Sequence, residues 1–145
     1  NRMEAINFAL GHDDGMTHNG LNQAQVILVG VSRSGKTPTS IYLAMQFGIK
    51  AANYPLIPED FERGTLPPIL DGYLDKIFGL TIKPERLNSL RSERRPDSLY
   101  ASLSNCREEI GLAEALMKQL RIPMADSTSR SVEELSAIII QKIKA

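Results

Sequence analysis

The run Val26-Ile-Leu-Val-Gly30-Val-Ser-Arg-Ser-Gly35-Lys36-Thr37 constrains this chain more than any other segment. An unbroken apolar stretch, Val26 to Val29, predicts a strand buried on both faces of a parallel sheet. A helical pattern follows from Thr37 to Phe47 and stops at Gly48. Between them, Gly30 and Gly35 let the backbone turn so that consecutive N–H groups converge, which a Cβ would obstruct. The residues Gly30, Val31, Ser32, Arg33, Ser34, Gly35, Lys36 and Thr37 therefore read as a phosphate-binding loop. Lys36 brings a mobile positive charge to a β-phosphate, and the Thr37 hydroxyl is the usual ligand for an accompanying Mg²⁺. A helix beginning near Lys36 adds its unpaired N–H groups and the positive end of its dipole. Pro38 fits a first turn, where a missing N–H costs nothing.

The rest of the chain places this loop in a fold. Met3, Ile6 and Leu10 have helical spacing over residues 2–10, and Gly11 is placed to end that helix in a left-handed conformation. His12-Asp13-Asp14-Gly15 reads as a turn, so residues 1–20 form a helix and an Asp-Asp-Gly turn ahead of the core. Ile49 to Tyr54 predicts a second strand, and Pro55 to Pro68 a surface loop or lid with at most a short helix. Ile69 to Lys76 is a further short-helix candidate. Phe78 to Ile82 predicts a strand, Pro84 opens a helix through Leu87, Leu90 and Arg91, and a long amphipathic helix is expected over about Ser98 to Leu120. Ile122 to Ala125 is a last short strand, and Ser131-Val-Glu-Glu134 is a capping box opening a final helix. Strands alternating with helices behind such a loop predict an α/β fold, a P-loop three-layer sandwich with a mainly parallel sheet.

Bulk properties narrow the function classes. A chain of 145 residues, 42% hydrophobic and 23% charged, suits one nucleotide-binding domain spanning 1–145. Lys plus Arg and Asp plus Glu number 17 each, so no net field draws the chain to nucleic acid or an anionic membrane. No apolar run approaches the ~18 residues of a membrane span and no signal peptide opens the sequence, so a cytoplasmic location is expected. Cys106 is the single cysteine, which excludes an internal disulfide, and its helical setting predicts an inert buried or half-buried thiol. His12 and His18 are too few and too loosely spaced for a metal site and read as solvated turn residues.

Three polar groupings remain as candidates. Asp13 and Asp14 have two readings, a helix-ending turn or a general base and Mg²⁺ ligand that reaches the phosphate site. Arg86, Arg91, Arg94 and Arg95 cluster near the end of one predicted helix, either as a solvated face or as a lid whose planar donors match phosphoryl oxygens. Arg130 either lies over a nucleotide base or caps its turn. A strand-terminal Asp of the usual Mg²⁺-positioning kind is missing, apart from a weak candidate in Met124-Ala-Asp126, which disfavours a motor ATPase or a switch GTPase.

The longer run Gly30-Val-Ser-Arg-Ser-Gly-Lys-Thr-Pro-Thr-Ser-Ile-Tyr-Leu-Ala44 resembles the signature of the regulatory proteins of phosphoenolpyruvate synthase and of pyruvate, phosphate dikinase. Ile6 to Gly15, Lys50 to Leu56 and Phe78 to Leu87 agree with that resemblance, which covers essentially the whole chain. The family's length implies that this is the C-terminal half of a longer protein. Its activity implies a bifunctional enzyme: an ADP-dependent kinase that phosphorylates a target threonine, and a phosphorylase that removes the group with inorganic phosphate and releases pyrophosphate. Tyr54-Pro-Leu-Ile-Pro-Glu-Asp60 looks closer to the synthase branch, making phosphoenolpyruvate synthase the expected partner and the dikinase the alternative; a homo-oligomer is left open. On this resemblance Asp14 is the expected base, with Asp13 second and Lys36 stabilising the transferred group. Arg91, Arg94, Arg95 and Arg130 join the loop as nucleotide and phosphate contacts, and Thr37 is the metal ligand. A small-metabolite kinase and a non-catalytic ADP-binding module are the competing classes.

Overall fold

The computed structural model describes residues 1–15 and 19–144. The apolar run forms β1 (Val26–Gly30), buried at every position, and the other strands are β2 (Ala51–Pro55), β3 (Ile77–Thr81) and β4 (Met124–Asp126). They make one all-parallel sheet in the order β2-β1-β3-β4, with Leu28 opposite Asn53 and Phe78. Alternation along β1 sends Ile27 and Val29 to one face and Val26 and Leu28 to the other.

Helices cover both faces, which gives the three-layer α/β sandwich. On the face of Ile27 and Val29 lie α4 (Pro84–Arg94) and α5 (Leu103–Gln119), packed through Leu87, Cys106, Ile110, Ala113 and Met117. On the other face lie α2 (Lys36–Phe47) and α6 (Val132–Lys144), packed through Leu43, Leu135 and Ile139. The first helix, α1 (Arg2–Gly11), lies on α2 through Ala5, Ala9 and Ala44. A short α3 (Pro58–Arg63) follows β2. The capping box forms as the sequence predicts: Glu134 N donates to Ser131 Oγ at 3.1 Å and Ser131 N to Glu134 Oε1 at 3.0 Å.

Several expectations are corrected. Gly11 stays within α1 and His12 caps it with φ −110°, so no left-handed glycine ends that helix. His12 is not solvated: it is buried, stacks on Phe8 and sets its ring nitrogens 2.8 Å from Phe8 O and 2.7 Å from Asn19 O. His18 lies outside the described residues. Residues 69–76 form no α-helix but two 3₁₀ turns, Pro68–Leu70 and Leu74–Lys76, because Gly72 at φ +88° breaks the segment. The long amphipathic helix starts at Leu103, where Ser102 caps it by accepting from Asn105 N, and 98–102 is a turn tied by Ser98 Oγ to Arg95 O.

Candidate active site

The loop between β1 and α2 sits at the carboxyl edge of the sheet. A Cβ on Gly30 would come within 2.5 Å of Leu80 O, so β3 passes too close for any other residue there, and Gly35 has φ +101°. Lys36 folds back over the loop, donating from Nζ to Val31 O at 2.9 Å, and is only 4% exposed. Burial lowers its pKa from 10.5 to about 8, partly opposed by the negative charges of Asp14 and Asp13. Ser34 Oγ is buried and has no hydrogen-bond partner among the described residues. A buried ammonium held by one carbonyl and a hydroxyl left unsatisfied are the groups an anion in this loop would engage.

Asp13 and Asp14 reach the loop. Thr37 Oγ1 donates to Asp13 Oδ1 at 2.6 Å, and Asn53 Nδ2 donates to the same oxygen at 2.8 Å. Asp14 takes the left-handed conformation, φ 52° and ψ 34°, which is strained for a residue with a Cβ. Its N–H donates to Asn53 Oδ1 at 2.8 Å, while its exposed carboxylate has no hydrogen-bond partner among the described residues. The two aspartates therefore differ: Asp13 is tied to the loop, and Asp14 presents a carboxylate that no side chain among the described residues engages in a hydrogen bond. Both line a cleft of about 680 Å³ together with Ser32, Lys36, Thr37, Arg94, Arg95 and Tyr100. The Asp13 and Thr37 oxygens form the hard-donor edge that would hold Mg²⁺, a cation that prefers oxygen ligands.

The arginines divide. Arg94 and Arg95 line this cleft, and Arg95 lies 5.6 Å from the Tyr100 ring. Arg91 does not: it is 0% exposed and its guanidinium is spent on protein. It donates to Ser32 O at 3.2 Å and Tyr100 O at 2.9 Å, pairs with Glu109 at 3.0 Å, and stacks on the Tyr100 ring at 4.1 Å. Arg91 thus braces the loop through Ser32, whereas Arg94 and Arg95 line the cleft.

Beside it lies a second cleft of about 230 Å³, sharing Arg33, Gly35, Pro38 and Leu90 with the first and lined by Ile82, Arg86, Thr128, Arg130 and Leu135. Arg130 donates to Asp126 O at 2.9 Å, so it caps its turn while bordering this cleft. Asp126 Oδ1 accepts from both Thr128 N and Thr128 Oγ1.

Comparison with known proteins fits this arrangement. The family model described as kinase/pyrophosphorylase matches residues 1–140. The chain belongs to the kinase/pyrophosphorylase family. A protein of Methylobacillus flagellatus named "Putative phosphoenolpyruvate synthase regulatory protein" is 72% identical over 143 residues, covering 99% of this chain and 53% of that protein. Proteins of the same name from Delftia acidovorans and Ralstonia nicotianae are 64% and 62% identical, over 98% and 99% of the chain and 52% of each relative. The chain spans about half the length of the curated relatives it matches.

Sequence reasoning missed two members of the site, Asn53 and Tyr100. Asn53 carried a readable signal, a polar amide within the apolar stretch of β2. Tyr100 carried none, because a turn 68 residues away from Ser32 brings its hydroxyl to 2.6 Å from Ser32 Oγ. Cys106 is fully buried on α5, and burial pushes its thiol pKa up, the reverse of what a nucleophile requires. Among the described residues no helix is long and apolar enough to cross a membrane.

Proposed function

We propose that this chain is the nucleotide-binding, catalytic half of a bifunctional regulatory enzyme acting on phosphoenolpyruvate synthase. It transfers the β-phosphoryl group of ADP to a threonine of that protein, and removes it with inorganic phosphate. The observation that carries the reading is the 2.6 Å contact between Thr37 and Asp13, which sets an aspartate pair beside a loop built for an anion. Family membership and the names of the relatives support the reaction class and the choice of partner.

Two clefts that meet at the loop residues Arg33, Gly35 and Pro38 suit transfer between them. The nucleoside of ADP would occupy the smaller cleft, between Ile82, Leu135 and Arg130, with its β-phosphate on the loop amides and Lys36. The threonine would enter the larger one. Asp14 takes the hydroxyl proton as the threonine oxygen attacks the β-phosphorus; the bond to the bridging oxygen breaks and AMP leaves. Lys36 and the loop amides stabilise charge on the group in flight, and Arg94 and Arg95 balance the anionic wall of the acceptor cleft. Mg²⁺ bound at Thr37 and Asp13 would neutralise phosphate charge. In the other direction Asp14 deprotonates inorganic phosphate, whose oxygen attacks the phosphothreonine. Pyrophosphate forms and the threonine oxygen regains a proton.

The test is incubation of the full-length protein with phosphoenolpyruvate synthase and either ADP or ATP, read by mass spectrometry of the synthase. Phosphothreonine formed with ADP and not with ATP supports the proposal. ATP-dependent phosphorylation of a small molecule with an unmodified synthase would make it a metabolite kinase, and ADP binding without any transfer would make it a sensing module.

A further inference from the structure

Among the described residues, Asn53 is the one buried polar side chain that touches both aspartates. It is 0% exposed in the middle of β2, opposite Leu28, on the same face as Ala51 and against Ser40 of α2. Its carboxamide is used from both ends. Oδ1 accepts from Asp14 N at 2.8 Å, and Nδ2 donates to Asp13 Oδ1 at 2.8 Å and more weakly to Ser40 Oγ at 3.3 Å. Its backbone N–H holds the residue before the pair, donating to His12 O at 3.1 Å. The amide orientation is unambiguous, because the flipped amide would set an oxygen against a carboxylate and an NH₂ against an N–H.

Each bond does a separate job. The bond from Asp14 N ties down the left-handed backbone at Asp14, a conformation that costs a residue with a Cβ about 1 kcal/mol or more. The bond to Asp13 leaves Thr37 and Asn53 sharing Oδ1, so the second Asp13 oxygen has no protein donor among the described residues. Thr37 belongs to the loop and Asn53 to the neighbouring strand, so the pair is clamped between the two elements that frame the phosphoryl path.

We propose that Asn53 is the positioning residue of the aspartate pair, holding Asp14 as the acceptor-side base and Asp13 in register with the loop. It touches no reacting atom, and its effect on turnover is exerted through Asp13 and Asp14. This rests on the phosphoryl-transfer reading above.

Three variants of the full-length protein test it: Asn53→Ala, which removes both bonds, Asn53→Asp, which keeps the acceptor for Asp14 N but loses the donor to Asp13, and Asn53→Ser, which shortens the side chain. In Asn53→Ala, kcat for threonine phosphorylation should fall ~100-fold, the usual cost of a catalytic group displaced by about 1 Å. Calorimetric ADP affinity should stay within about twofold, because the loop is untouched. Amide hydrogen exchange at Asp14 should lose protection in Asn53→Ala and keep it in Asn53→Asp. Turnover per folded molecule within about threefold of the parent in Asn53→Ala, or a loss of ADP affinity matching the loss of kcat, would overturn the proposal and leave Asn53 as packing. If Asn53→Ala does not fold, Asn53→Asp and Asn53→Ser carry the same kcat and affinity comparison. The exchange measurement needs no turnover: a parent inactive with ADP would refute the transfer reading, whereas unprotected Asp14 N–H in the parent would refute the clamp.

Discussion

Thr37 and Asp13, 24 positions apart in the chain, are joined by a 2.6 Å hydrogen bond from the threonine hydroxyl to the aspartate. The turn before the core and the first turn of α2 therefore form one edge of one cleft. A structural turn residue would cap its own segment. Asp13 instead bonds α2 and β2, while the Asp14 carboxylate beside it has no hydrogen-bond partner among the described residues.

Asp14→Asn follows from that difference. The amide keeps the shape and the backbone bond to Asn53 but cannot take a proton. Threonine phosphorylation and phosphorolysis should both fall by about 10²- to 10⁴-fold, the usual contribution of a positioned base. ADP affinity and the thermal midpoint should change little. Calorimetry, thermal unfolding and turnover on one preparation check this, and a variant that is less stable yet turns over normally per folded molecule would return Asp14 to a turn role.

Lys36 sets a cost in stability against binding. Its folded pKa of about 8 lies below the ordinary 10.5, so the unfolded state binds more protons between these values and stability rises with pH across that window. Below about pH 8 the protein carries the full cost of a buried ammonium. Lys36→Met should therefore raise the thermal midpoint at pH 7 while weakening ADP binding by about 1.5 to 3 kcal/mol, the range for hydrogen bonds to charged groups. In the parent, ADP affinity should decline as pH rises above about 8, and binding near that pH should take up a proton. Calorimetry in buffers of different ionisation enthalpy reads both.

Arg91 and its neighbours should separate by readout. Arg91→Ala leaves Glu109 without its buried partner and should cost about 3 to 5 kcal/mol of stability. Arg94→Ala and Arg95→Ala should leave stability within about 0.5 kcal/mol, as for surface changes, and lower turnover. Denaturant unfolding alongside kinetics distinguishes them; equal stability losses at all three positions would contradict the division.

Arg130 borders the cleft assigned to the nucleoside, away from the aspartates. Arg130→Ala should weaken ADP binding while leaving the affinity for inorganic pyrophosphate unchanged. Competition binding with both ligands tests this, and equal weakening would place Arg130 on the phosphates.

Much of the architecture was legible because β1 is apolar at each position and the capping box of α6 is a local signal that forms as written. The loop was legible from its residue pattern: Gly35 answers to a local positive φ, whereas Gly30 answers to the close passage of Leu80 on β3. What escaped depends on contacts distant in sequence. Arg91 sits among other arginines and reads as surface, yet Glu109 on α5 and Ser32 in the loop draw it inward. His12 is the exception, with partners only four and seven residues away: Phe8 and Asn19 enclose a side chain that reads as a solvated turn residue. Asn53 gains its meaning only when β2 pairs with β1 and sets it beside the turn at residues 13–15.

The central claim is that the β-phosphoryl group of ADP crosses the loop to a threonine held beside Asp14. ADP labelled at the β-phosphorus, incubated with the full-length protein and phosphoenolpyruvate synthase, tests it most directly. The account predicts label on a synthase threonine with equimolar AMP in the parent, and none in the Asp14→Asn variant. Label that reaches the synthase equally in both proteins, or never leaves the nucleotide, would contradict it.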